Sequence, residues 1–269
     1  MADRAIVCPK CRRLIGSVET VCSWCGTPRS SVWWRLVGTL GDSYASRWVM
    51  ASLLTLNILF FTLTLLLSRR IEHKGSLLTL GNDSLLLLGA SGTIPIDHFG
   101  RVWTLLSANY LHAGIIHLFF NMLVLMQVGP WSIAEYGPSR MISIYTLGGI
   151  SGYAVSYLAG VPFTVGASAA LCSLIGSLLY FGKNRGGSYG MAVYYELRGW
   201  VVGLFLYGLL FPGINNWAHG GGLGAGILLG MLLGYQERSP QNVLHHLLAL
   251  VCVVMTIATL GWALFGARI

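Results

Sequence analysis

Charge is what this chain has least of. Only 10% of its 269 residues are charged and 55% are hydrophobic, whereas a soluble domain carries about 25% charged residues. The sequence also lacks the short alternating segments of a membrane β-barrel. Long continuous apolar runs stand in their place, and helices are the other structure that satisfies its backbone in lipid. The expected fold class is therefore an all-α polytopic membrane protein. A secretory signal is missing too: residues 1–47 are polar and cysteine-bearing, with no apolar core ahead of a small-residue cleavage site. The net charge of +8 is read as a marker of cytoplasmic loops, and no nucleic acid is expected as a partner.

Seven spans are expected, at Trp48–Leu67, Thr104–Val128, Met141–Leu158, Thr164–Gly182, Arg198–Leu210, Asn216–Tyr235 and Leu244–Phe265. The connection from Ser68 to Arg101 is too long for a plain loop and predicts short interfacial helices. With the N-terminus cytoplasmic, twelve of the 17 Lys and Arg residues fall on the inner side. This bias fixes the orientation. Spans two, four and six then run from outside to inside.

The first 30 residues hold Cys8-x2-Cys11 and Cys22-x2-Cys25, followed by Gly26. Two such knuckles bring four thiolates to a tetrahedral zinc site. A head this small also needs a staple, and a reducing compartment disfavours disulfides. Structural zinc on Cys8, Cys11, Cys22 and Cys25 is the expectation; no cofactor is expected for catalysis. Cys172 and Cys252 lie in apolar segments and read as core residues.

Ser168 lies a few residues into span four and His219 a few into span six. Each is roughly 5–10 Å below its helix start at 1.5 Å per residue. Gly222, Gly226, Gly230 and Gly234 repeat every four residues after His219. Span four has small-residue rows of its own, Ser168/Cys172/Gly176 and Ala169/Ser173/Ser177. Such faces allow close helix approach in lipid and aim His219 at Ser168. A serine within reach of a histidine is an activatable nucleophile. His117 and Asn121, four apart on span two, can offer donors to an oxyanion, as can the Ser168 backbone N–H. No Asp or Glu falls in the spans near these residues, so the reading is a Ser–His dyad, Ser168 as nucleophile and His219 as general base and acid.

These residues carry a resemblance. His112-x4-His117-x3-Asn121, Gly166-Ala167-Ser168 and Ala218-His219-x2-Gly222-x3-Gly226, in this order, resemble the motifs of the rhomboid intramembrane serine proteases. Glu135-Tyr136-Gly137 followed by Arg140 and Tyr145 is similar as well, and the match covers roughly Trp103 to Tyr235. The resemblance implies a rhomboid-like six-helix bundle plus a C-terminal seventh helix, behind a small zinc-ribbon-like head. It implies His117 and Asn121 in the oxyanion site, and cleavage of transmembrane protein substrates in the lipid bilayer near the outer face. The expected organisation is a cytoplasmic head over 1–30, a linker over 31–47, a catalytic six-span domain over 48–235 and an extra transmembrane helix over 236–269. The expected location is the plasma (inner) membrane of a bacterium. Two departures stand out. Ala169 replaces the last glycine of the family's G-x-S-G, and the first-loop Trp-Arg pair is broken, Trp103 being followed by Thr104 with Arg101 two residues before. The rival readings are a catalytically inactive rhomboid-like protein that binds or escorts membrane proteins, and a channel, which would need a polar path that does not cross the bilayer. Glu135 is read as an interfacial structural partner for Arg140.

Overall fold

The computed structural model describes residues 5–8, 14–16, 19–24, 26, 28, 42–72, 76–210 and 213–266. The chain divides into two compact units, Met1–Val49 and Met50–Ile269. In the first unit, strands β1 (Ala5–Val7) and β2 (Leu14–Gly16) form an antiparallel hairpin with Ile6 opposite Ile15. Val21 and Pro28 form a second antiparallel bridge. Between them Gly26, at φ +66°, donates its N–H to the Cys22 carbonyl at 2.9 Å, a turn conformation that favours glycine. Glu19 accepts from the Gly16 N–H at 2.7 Å, and that bond first, then bonds from Ser23, holds its carboxyl below the usual range.

Seven long helices follow among the described residues: α1 (Asp42–Ile71), α2 (Ile115–Tyr136), α3 (Pro138–Leu158), α4 (Ser168–Arg185), α5 (Gly187–Leu210), α6 (Asn216–Leu233) and α7 (Val243–Phe265). Short helices at Asn82–Leu87, Ile94–His98 and Thr104–Ser107 occupy the long connection after α1, as its length required. By length and composition alone, Ser46–Ile71, Ile115–Tyr136 and Val243–Phe265 are apolar enough to cross a membrane. The inner helices are less apolar for a structural reason. α3, α4 and α6 pack on one another through glycine, serine and alanine, residues that contribute little to hydropathy and much to close approach.

Glycine fit explains that core. A Cβ on Gly222 would collide with the Ala169 carbonyl, one on Gly226 with the Ser173 carbonyl, and one on Gly230 would lie 3.0 Å from the Ser177 Cα. The α6 stripe therefore lies along the Ala169/Ser173/Ser177 row of α4. In return Gly176 of α4 faces the Leu223 backbone, with the Ile227 nitrogen 3.1 Å from where its Cβ would stand. Gly152 of α3 fills the same crossing, 2.6 Å from the Ala218 carbonyl by the same measure. Gly234, expected in the stripe, instead ends the helix as its C-cap at φ +68°.

Three further expectations are corrected. Span two begins at Ile115 rather than Thr104, because the stretch from Thr104 to Leu111 forms two short turns and the chain then bends at Gly114. A Cβ at Gly114 would collide with the Leu78 carbonyl, and Ile115 N–H bonds the Leu77 carbonyl at 2.7 Å. The fifth helix starts at Gly187, eleven residues before the expected Arg198, so Arg198 sits within it rather than at its start, its guanidinium 5.2 Å over the Tyr195 ring. Only Gly190, Val193 and Leu197 of α5 are buried, so its second half stands apart from the protein core. Arg140 and Glu135 do not pair. Glu135 accepts from the Tyr189 hydroxyl at 2.7 Å, while the fully buried Arg140 donates to the carbonyls of Ser239 and Pro240 at 3.0 Å each. The connection between α6 and α7 supplies these acceptors, and Gln241 adds a bond from the Ser139 N–H at 3.1 Å.

Candidate active site

Ser168 is the first residue of α4, so its backbone N–H has no acceptor within the helix. The approach to it is set by Gly166, at φ +135°. Both sides of that residue are held: its N–H donates to the Ala108 carbonyl at 2.9 Å, and its carbonyl accepts from the buried Tyr153 hydroxyl at 2.6 Å. A Cβ here would stand 2.8 Å from His117 Nε2 and 3.6 Å from Ser168 Oγ. The missing methyl is thus the gap across which His117 and Ser168 face each other.

His219 lies one turn into α6 and is 4% exposed. Its Nε2 is 2.9 Å from Ser168 Oγ, within the range for proton transfer. Its Nδ1 is buried without a hydrogen-bond partner, so no carboxylate orients the ring. Ala108, Tyr153, Ala169 and Ala218 form an apolar cluster beneath the pair. Ala169, the departure beside Ser168, points into that cluster and is fully buried.

On α2, which packs against α4, His117 is half-buried and sits one turn from the helix start. The corrected start of α2 brings it to the same end of the bundle as Ser168 and His219. Asn121 is 6% exposed and donates to the His117 carbonyl at 2.8 Å; the second hydrogen of its amide is left for other use. His112 lies before the helix, fully buried, edge-on to His117 at 5.1 Å, with both ring nitrogens unpartnered.

Arg101 and Trp103 converge despite their altered spacing. Arg101 donates to the Leu86 carbonyl at 3.0 Å, and the Trp103 ring closes on Gly89, three residues further on. Two residues that sequence reasoning passed over also build the site. Tyr153 had a readable signal, a phenol in mid-span that needs a partner; Asn215 had another, an Asn just ahead of an apolar helical run.

Of the four head cysteines, Cys8 and Cys22 are 0% and 1% exposed, while Cys11 and Cys25 lie outside the described residues. Among the described residues no group of three or more metal-ligating side chains gathers.

Comparison with known proteins adds to this geometry. The Rhomboid domain family model matches residues 100–236. The chain is 36% identical over 150 residues to RHOMBOID-like protein 7 of Arabidopsis thaliana, covering 54% of this chain and 47% of that protein. It is 30% identical over 180 residues to Rhomboid protease GluP of Bacillus subtilis (strain 168), covering 67% and 35%. It is also 31% identical over 154 residues to Inactive RHOMBOID-like protein 8 of Arabidopsis thaliana, covering 51% and 42%. The chain thus spans less than half the length of each of these relatives. A family domain over half of the chain, on a bundle of apolar helices, places the protein in the membrane, and it belongs to the rhomboid family.

Proposed function

We propose that this protein is an intramembrane serine endopeptidase that cuts transmembrane protein substrates by a Ser168–His219 dyad. The observation that carries the reading is the 2.9 Å separation of His219 Nε2 and Ser168 Oγ at the N-terminal ends of two helices whose backbones touch. Neutral His219 takes the proton as Ser168 Oγ attacks the scissile carbonyl, then gives it to the leaving amine; water, deprotonated in turn by His219, releases the acyl group. The developing oxyanion is met by the Ser168 N–H, the half-buried His117 and the second hydrogen of the Asn121 amide. The charge bias of the loops supports a dyad near the outer face and a cytoplasmic N-terminus; the proposed location is the plasma membrane of a bacterium.

Likeness to a relative named inactive supports a second reading, a protein that binds membrane proteins without cutting them. One experiment separates the two. Purified protein in liposomes is incubated with a single-span substrate, alongside Ser168→Ala and His219→Ala. Cleavage by the wild type and by neither variant is expected. Cleavage that survives in Ser168→Ala sinks the dyad, and equal inactivity of all three toward a substrate panel favours the binding-only reading.

The head is proposed to hold a structural zinc on Cys8, Cys11, Cys22 and Cys25. What supports this is the donor set: each C-x2-C pair places its first thiol in the interior of a head too small for a core of its own. The Gly26 N–H bonds the Cys22 carbonyl, a turn that follows the first thiol of the second pair. When bound, the metal supplies folding energy. Metal analysis of the purified protein should find about one zinc per chain, absent after Cys8→Ser with Cys22→Ser; a metal-free wild type retires the site.

A further inference from the structure

In a serine–histidine–acid arrangement the acid holds the imidazole in line. Here His219 Nδ1 has no partner, so apart from its Nε2 contact with Ser168 Oγ the ring is aligned through the helix that carries it. Two side chains hold the N-terminal end of that helix: Asn216 donates to the Phe205 carbonyl at 3.3 Å, and Asn215 makes the other bonds. Asn215 accepts from the Ala218 N–H at 3.0 Å, capping α6, and its carbonyl receives the His219 N–H at 3.1 Å. Its amide nitrogen reaches outward, donating to Ser156 Oγ of α3 at 2.6 Å and to Thr164 Oγ1 at 3.0 Å. Thr164 lies four residues before the nucleophile and is paired through both backbone groups with Ser91, at 2.8 and 3.0 Å.

We propose that Asn215 is a positioning residue for catalysis, taking over the alignment that a third, acidic residue would otherwise provide. Both hydrogens of its amide are used, one on α3 and one on the segment leading to Ser168, while its oxygen and carbonyl hold the start of α6. A single planar group thereby fixes the helix bearing the base relative to the loop bearing the nucleophile. A cap alone would need only the oxygen; the two outward bonds are what tie the pair together. The inference rests on the protease reading above.

The test uses the full chain in liposomes. Asn215→Ser keeps an oxygen for the cap and loses the bridge. Its expected effect is a kcat about tenfold to a hundredfold lower, KM within about twofold, a parallel slowing of Ser168 labelling by a fluorophosphonate, and a nearly unchanged melting temperature. Asn215→Asp, whose carboxylate can accept from the Ser156 and Thr164 hydroxyls, should recover part of that rate. Ser156→Ala with Thr164→Val removes the bridge from its far ends, leaves Asn215 in place and should reproduce the loss. Wild-type kcat and labelling in Asn215→Ser and in the double variant, or losses that only follow a fall in melting temperature, overturn the proposal. Failure of the protease reading would look different: the wild type itself would neither cut nor label faster than Ser168→Ala.

Discussion

Gly222→Ala asks whether the glycine stripe sets the geometry of the proposed Ser168–His219 dyad. Gly222 lies one turn from His219 and faces Ala169, the neighbour of Ser168. An added Cβ would stand 3.0 Å from the Ala169 carbonyl carbon and 3.3 Å from its Cα, with the carbonyl oxygen closer still. Carbon atoms rest comfortably at about 3.5–4.0 Å, and a helix backbone cannot swing aside as a side chain can. The helices must therefore part by on the order of 1 Å, and a misplacement of that size costs roughly a hundredfold in rate. It would also stretch the Ser168–His219 contact beyond its 2.9 Å. Gly224→Ala is the matched control: same helix, same substitution, but nothing within 4 Å of the new methyl. It should leave cleavage unchanged and, by helix propensity, stabilise α6 by up to about 1 kcal/mol. The assay is single-span substrate cleavage in liposomes, with thermal melting of each variant. Wild-type activity in Gly222→Ala, or an equal loss in Gly224→Ala, would refute the link between stripe and dyad.

Gly166→Ala places a methyl 2.7 Å from the His117 ring at a φ of +135°; it should lower kcat by about tenfold or more in the same assay. Tyr153→Phe removes the hydroxyl that fastens the Gly166 carbonyl and leaves that buried acceptor unpaired, a cost of about 1–3 kcal/mol, expected as a lower melting temperature together with slower fluorophosphonate labelling. Arg140→Met strips the carbonyls of Ser239 and Pro240 of their donor and should lower the melting temperature. It should spare kcat below the transition, because Arg140 is about 18 Å along α3 from the Gly152 crossing at 1.5 Å per residue.

Where the chain obeyed a period, its sequence was readable. The approach of His219 to Ser168, the small-residue rows and the pairing of α4 with α6 agree with four-residue spacing, and Gly222, Gly226 and Gly230 fit where that spacing puts them. Hydropathy failed where two different structures share one composition. Thr104–Leu111 adjoins the apolar helix and reads as part of it, yet it turns: the backbone of Ala113–Ile115 bonds the loop at Leu77–Leu80, and the Ala108 carbonyl accepts from the Gly166 N–H, tertiary contacts with no local signature. The opposite error hid the start of α5, where polar residues after Gly186 and Gly187 read as a loop while forming helix. Glu135 and Arg140 looked like an ion pair because their charges match. Arg140 found carbonyl acceptors on a segment about a hundred residues away instead.

The backbone-to-backbone seam between α4 and α6 has a thermodynamic consequence. Side chains that interlock give up rotamer freedom when they pack; a glycine row lying on a neighbouring main chain has no rotamers to give up. In lipid, where helices form before they associate, the conformational entropy of the glycines is already spent when the two spans meet. The alignment of Ser168 with His219 is therefore reached with little further loss of freedom, and thermal motion has few torsions at that seam through which to undo it.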